Sequence, residues 1–211
     1  MEYIDKKPKI YVISGKAKSG KKNFTLNLFD SLAITRSFTQ TFFFDSVDGR
    51  FSALKEHPCV AKYTTNEKDL DKYIEVIEQE MENRKNLIRE QGRGILDNKS
   101  LIIIAIENDK VLTLLKNNAT LAERLKQLYK NYKNYKLFIL CSNVENAAIS
   151  FSSSPLLKEI KEVNNYMIFE EIQDIKIVST TMKQQRAEKK ELSKGDGFLV
   201  INGKMDRIRT I

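Results

Sequence analysis

The residues best suited to chemistry are Gly15, Gly20 and Lys21, inside the stretch "YVISGKAKSGKKNF" at residues 11–24. Four residues separate the glycines, and the lysine follows directly. Glycines at this spacing let backbone N–H groups turn inward around phosphate oxygens, which the lysine ammonium then neutralises. The candidate nucleotide-binding loop is Gly15, Lys16, Ala17, Lys18, Ser19, Gly20, Lys21, Lys22 and Asn23. Loops of this kind continue with Ser or Thr, whose hydroxyl holds Mg²⁺. Here Lys22 takes that place. An ammonium has three donors and no acceptor lone pair, so it cannot ligate a cation, and it repels one. The expectation is that ATP binds weakly or not at all, and that Mg²⁺ binding is doubtful.

Hydrolysis needs a second element, an acid at the tip of a distant apolar strand. "SLIIIAIEN" (100–108) offers Glu107 as the candidate catalytic acid. Asn108 follows where a second carboxylate is expected, and an amide cannot take a proton from attacking water. Asp109 comes one residue later. The plainer reading of Glu107 is an acid that ends a core strand. Asn143, after "KLFILC", is a candidate sensor of a terminal phosphate or a simple turn former.

The elements that must position these groups follow from periodicity. "KIYVIS" (9–14) reads as a buried parallel strand closing on Gly15. Residues 21–33 place Phe24, Leu28 and Leu32 on one helical face. "FTQTFFFD" (38–45) is a second strand, tipped by Asp45. Residues 66–91 carry a stripe of Leu70, Tyr73, Ile74, Ile77, Met81 and Ile88, with Asn66 or Thr65 as the cap and Gly92 and Gly94 as the stop. "TLAERLKQLY" (120–129) opens with the Thr120–Glu123 spacing of a capping box, and Leu121, Leu125, Leu128 and Tyr132 line its apolar face. Strands are expected at 100–108, 135–143 and 165–172, and a hairpin turning at Asn202-Gly203 within 195–211. The alternation of strand and helix specifies a doubly wound parallel sheet. Ligands in such sheets bind at the strand carboxyl ends, so Gly15, Asp45, Glu107 and Asn143 should converge.

Composition bounds the function. The 211 residues suit one domain, with 41% hydrophobic and 30% charged residues. The net charge of +8 is compatible with nucleic acid, an anionic membrane surface or phosphate ligands, but lysine is spread along the chain and forms no basic block. Cys59 and Cys141 lie far apart with no CxxC spacing, which argues for reduced thiols and against zinc. The single histidine, His57, cannot build a metal cluster and reads as structural. No apolar run approaches a membrane-spanning length, and no signal peptide is visible.

Three segments together resemble FtsK/SpoIIIE-type ATPases, and among these the last ATPase domain of the EssC/EccC family of type VII secretion motors. "YVISGKAKSGKKNF" resembles the phosphate loop, "SLIIIAIEN" the acid-tipped strand, and "ELSKGDGFLVINGKMDRIRTI" the terminal hairpin. The long helix around Arg84, between the second and third strands, and the sensor-like "LFILCSN" also fit. The resemblance covers essentially the whole chain. It implies a RecA-like P-loop NTPase fold over residues 1–211, with a mostly parallel sheet flanked by helices and a C-terminal β-hairpin. It further implies the C-terminal piece of a longer membrane protein, on the cytoplasmic side of a bacterial membrane. The implied partners are sister ATPase domains of the same chain and WXG100-type secretion substrates, in an oligomeric motor. Lys22 and Asn108 depart from the family pattern, and both departures argue against hydrolysis.

Two other functions compete. An active ATP-driven translocase, for protein or DNA, calls for an intact loop and paired acids. DNA binding also favours interleaved arginines and aromatics, whereas this chain scatters lysines, so no nucleic-acid partner is expected. A stand-alone nucleotide kinase needs a lid of clustered arginines, which Arg93 and its neighbours do not form.

Overall fold

The computed structural model describes residues 10–14, 18–35, 39–141, 165–168, 196–201 and 204–209. These form eight strands in one sheet with helices on both faces. In chain order they are β1 (Ile10–Ser14), α1 (Lys21–Thr35), β2 (Thr39–Phe44), β3 (Val60–Thr64), α2 (Asp69–Gln91), β4 (Leu101–Ile106), α3 (Asp109–Asn117), α4 (Ala119–Tyr132), β5 (Leu137–Cys141), β6 (Asn165–Ile168), β7 (Asp196–Ile201) and β8 (Lys204–Arg209).

The sheet order is β3-β2-β4-β5-β1-β6-β7-β8. Strands β3 through β6 of this order pair in parallel, while β7 and β8 add an antiparallel hairpin at one edge. The expected hairpin is therefore present, and its turn at Asn202-Gly203 lies outside the described residues. Of the strand expected over 165–172, only Asn165–Ile168 is described. Strand β5 sits between β1 and β4, which places the loop after β1 two strands away from the tip of β4.

Period-2 alternation splits the core. Ile102, Ile104 and Ile106 of β4 join Leu70, Ile74, Ile77, Met81, Leu121, Leu125 and Leu128 beneath α2 and α4. Leu101, Ile103 and Ala105 face the other way, against Phe24, Leu28, Phe29 and Leu32 of α1. Burial on both faces is what makes β4 an unbroken apolar run.

Four details differ from the sequence expectation. Strand β3 was not expected. It is an edge strand whose Ala61 and Lys62 are exposed, so it carries little apolar pattern, and its register with β2 shifts between Thr41 and Phe42. The long helix α2 consequently follows the third strand in sequence. It starts at Asp69 rather than at Thr65 or Asn66, although the Asn66 side chain does accept from Lys68 N at 3.1 Å in the preceding turn. Helix α3 was not expected either. Finally, α4 is capped by Asn118 and not by the Thr120–Glu123 box. The Asn118 side chain accepts from Leu121 N at 3.0 Å, while its own N–H donates to Leu114 O and ends α3. One asparagine thus stops one helix and starts the next. Gly92 ends α2 as expected. Its φ of 81° is in the region glycine favours, and its N–H closes on Ile88 O.

Arg84 occupies the position in the α2 stripe where an apolar residue is expected, and is 1% exposed. Its guanidinium donates to Glu80 Oε1, to the backbone oxygens of Ser100 and Tyr135, and to Ser100 Oγ. Those carbonyls precede β4 and β5, so Arg84 ties the amino ends of two central strands to α2, away from the strand carboxyl ends.

Candidate nucleotide site

The parallel strands bring one set of loops to their carboxyl edge. Of the expected loop, Gly15, Lys16 and Ala17 lie outside the described residues. Lys18, Ser19, Gly20, Lys21, Lys22 and Asn23 form the turn into α1 and its first residues. Lys18 has φ 65° and Gly20 φ 108°, positive values of the kind found in the backbone turns that bind anions. Phe24 N donates to Gly20 O at 3.0 Å as the first helical bond, so the N–H groups of Lys21, Lys22 and Asn23 precede the ladder. No acidic residue lies in this first turn. The helix start therefore presents positive potential without an internal counter-charge. The Lys21 side chain is half-buried, with its Nζ shielded from solvent. Ser19 Oγ is buried and bonded to nothing among the described residues.

Lys22 is exposed, and its Nζ lies 5.9 Å from the centroid of the Phe51 ring, within cation–π range. Phe51 belongs to the loop after β2, so Lys22 links the loop after β1 to that one. Asp45 organises the second loop. Its Oδ1 accepts from Ser46 N at 2.7 Å and Ser46 Oγ at 3.2 Å. Its Oδ2 accepts from Phe51 N at 2.8 Å and the Tyr63 hydroxyl at 2.5 Å. Asp45 is fully buried, and its four bonds make it a brace of the loop rather than a group open to ligand. Burial, and then the bond to Asp45, raise the Tyr63 phenol well above its ordinary range. Sequence reasoning placed Asp45 at this edge but missed Phe51 and Tyr63. A lone aromatic in a loop carries no spacing signal.

Glu107 follows β4 and is 5% exposed, with its N–H bonded to Phe44 O at 2.8 Å. Its charge reaches β5: the Cys141 thiol is pushed up to about 12, by burial first and by Glu107 second. Asn108 is 1% exposed, and both ends of its amide are engaged. Oδ1 accepts from Lys110 N at 2.8 Å and caps α3, while Nδ2 donates to Thr65 O at 3.0 Å. The position expected for a second acid is thus a helix cap tied to the loop after β3. Asn143, the candidate sensor, lies outside the described residues.

The residues fit a nucleotide's phosphates better than they fit Mg²⁺. The positive-φ turn, the helix start and Lys21 suit an anion. The position that would give a metal its hydroxyl holds an ammonium facing an aromatic ring, and the position of the second acid holds a committed amide. Among the described residues, no group of three His, Cys, Asp or Glu side chains forms a metal cluster. His57 is structural: its Nδ1 accepts from Cys59 N, and Nε2 lies 3.3 Å from Asp30 Oδ1. A cleft opens elsewhere, between α2 and α4, where Arg124 pairs with Asp71 and Glu78, and the Tyr132 hydroxyl donates to Glu82 at 2.7 Å. Its walls are helix side chains rather than strand ends, so we assign it no part in nucleotide binding.

A parallel sheet with β5 between β1 and β4, and a glycine-lysine turn opening α1 after β1, is an α/β arrangement that matches in fold the solved structures of RecA-like, FtsK-type ATPases. The cytoplasmic domain of EssC matches with a TM-score of 0.71 at 15% identity, over 95% of this chain and 37% of that one. Thermomonospora curvata EccC (ATPases 2 and 3), in complex with a signal sequence peptide, matches with a TM-score of 0.69 at 13% identity, over 97% and 36%. The pCW3 conjugation coupling protein TcpA, solved as a monomer with ATPγS, matches with a TM-score of 0.67 at 15% identity, over 96% and 60%. The chain therefore spans little more than a third of the EssC and EccC chains. No family model matches the sequence, and no curated protein matches it by sequence. Among the described residues, no helix is long and apolar enough to cross a membrane.

Proposed function

We propose that this chain is a degenerate ATPase domain of a type VII secretion motor, the last of its kind in a longer membrane protein. In this reading it binds ATP weakly through Lys18–Asn23 and the residues before them, and does not turn it over. It contributes instead to recognition and export of WXG100-type substrates, beside sister ATPase domains of the same chain, in an oligomer on the cytoplasmic side of the bacterial membrane. The observation that carries this reading is the split fate of the site. The turn into α1 keeps its left-handed Lys18 and Gly20 and its shielded Lys21, while Asn108 is spent on capping α3. The likeness to EssC and EccC supports the choice of motor through the fold. A peptide signal presented as one helical face would bind weakly alone, on the order of micromolar, because it must be ordered first. Linked copies in an assembled motor would raise the apparent affinity.

Calorimetric titration of ATP into the purified chain, with Lys21→Ala as reference, tests the nucleotide half. Heat of binding lost in Lys21→Ala is the expected result, and equal binding by both overturns the loop assignment. Backbone resonance shifts of the labelled chain, titrated with a WXG100-type complex, test the other half. Shifts confined to residues 15–22, or none even with a linked multivalent substrate, place recognition elsewhere.

A further inference from the structure

Resting on the phosphate-binding reading above, we propose that Lys22 is a tethered counter-cation, so that the loop takes a nucleoside triphosphate as the metal-free anion. Lys22 lies in the same helical turn as Lys21 and the N–H groups that open α1. Its ammonium stands over the Phe51 ring at 5.9 Å. Phe51 is itself fixed: the residue is 4% exposed, and its N–H is bonded to the buried carboxylate of Asp45. The cation is therefore steadied from a rigid loop by an aromatic face, which attracts it without cancelling its charge. A carboxylate in the place of Phe51 would have neutralised it. Among the described residues Lys22 pairs with no acid, and the first turn of α1 contains none. The side chain is exposed, so an arriving anion can reach the ammonium.

Two consequences follow from charge alone. Lys21 and Lys22 together bring two fixed positive charges to one turn, about what a divalent cation would supply to the phosphates. A free divalent cation at the same place meets a like charge and finds no hydroxyl lone pair. The metal preference of the site is thereby set by one residue, and its geometry by Phe51 and Asp45.

Equilibrium dialysis of labelled ATP against the full chain, with excess Mg²⁺ in one arm and EDTA in the other, tests this. Wild-type binding is expected to be at least about tenfold weaker with excess Mg²⁺ than with EDTA, because complexation by the metal withdraws the free anion. Lys22→Thr, an exposed first-turn change, should bind at least about tenfold more tightly with Mg²⁺ than with EDTA. Lys22→Met should lose about tenfold relative to wild type in each arm and gain no preference for Mg²⁺. Phe51→Leu, checked for an unchanged fold by circular dichroism, should weaken binding about two- to fivefold and gain no preference for Mg²⁺. Wild-type binding that is equal in the two arms or tighter with Mg²⁺ overturns the counter-cation and leaves the phosphate loop standing. Absence of binding in every variant, Lys22→Thr with Mg²⁺ included, overturns the loop and the counter-cation together. Equal binding by wild type and Lys22→Met in EDTA overturns the role of the ammonium alone.

Discussion

The Tyr63 hydroxyl on β3 donates to Oδ2 of Asp45, at the tip of β2, at 2.5 Å. The same oxygen accepts from Phe51 N, so one buried carboxylate ties the edge strand to the loop that carries the Lys22 partner. Asp45→Ala should destabilise the chain by about 2–4 kcal/mol, because it orphans several buried donors at once. Tyr63→Phe removes one bond to a charged acceptor and should cost less, about 1.5–3 kcal/mol. Urea unfolding followed by circular dichroism measures both. Equal stability of Asp45→Ala and wild type would show that the loop is not held in this way.

Arg84 supplies a second test of architecture. The guanidinium fork spans Ser100 O, Tyr135 O and Ser100 Oγ, and the arginine is 1% exposed. Arg84→Met keeps much of the bulk but leaves two carbonyls without their donor, so a loss of about 3 kcal/mol or more is expected. Arg84→Lys should fare little better, since a point ammonium cannot reproduce the planar fork. Denaturant midpoints of the two variants, within a small margin of each other and well below wild type, are the expected result.

The sequence revealed what is repeated and hid what is tertiary. Strand β4 was legible because burial on both faces makes six consecutive residues apolar. Helix α1 was legible because Phe24, Leu28 and Leu32 recur at helical spacing and the glycine turn announces its start. Strand β3 was not, because an edge strand with exposed Ala61 and Lys62 leaves no periodic trace. Arg84 breaks an apolar stripe for the sake of carbonyls 16 and 51 residues away, a reason invisible locally. At the site the start of α1 at Gly20-Lys21 could be read off the glycine spacing. The Phe51 contact could not, because it depends on how Asp45 folds the loop after β2. Asn108 was read as a missing acid, and its amide turns out to be a helix cap with a second bond to Thr65.

Cys141 predicts the alkaline limit of stability. Its side chain is fully buried on β5, and its thiol is pushed from an ordinary value near 9.0 up to about 12, by burial and then by the Glu107 charge. Below the ordinary value both folded and unfolded chains hold the proton, and the contribution is intact. Between about 9 and about 12 the unfolded thiol ionises while the folded one does not, so stability falls as pH rises. The loss amounts to about 4 kcal/mol across the full interval. Tyr132 is also pushed up to about 12, chiefly by its bond to Glu82, and its loss begins at a higher pH. Cys141→Ala should therefore reduce the pH dependence between pH 9 and 10, leaving the share of the Cys59 thiol, which burial also raises, whatever it does to absolute stability. Urea midpoints across that range, for both proteins, decide the matter, and parallel slopes would contradict it.

Asn108→Asp is the isosteric change that would complete an acid pair after β4, and it should fail to create a hydrolase. Aspartate is as good an N-cap as asparagine, so the bond from Lys110 N survives and α3 still starts at the same place. The other end of the side chain is where the change is felt. Asn108 Nδ2 donates to Thr65 O at 3.0 Å, and a carboxylate would set oxygen against oxygen in a position 1% exposed. A destabilisation of about 1–3 kcal/mol is expected. The new carboxylate should also be drawn away from the Thr65 carbonyl and remain committed to the cap. Turnover should stay at background in wild type, in Asn108→Asp and in the double variant with Lys22→Thr, because restoring a metal hydroxyl does not aim the acid. Phosphate release under excess Mg²⁺ and ATP measures this, with Lys21→Ala as the blank. A rise of about 10²-fold or more in the double variant, abolished by Lys21→Ala, would mean that only two side chains separate this site from a working motor. The committed geometry of Asn108 predicts that no such rise occurs.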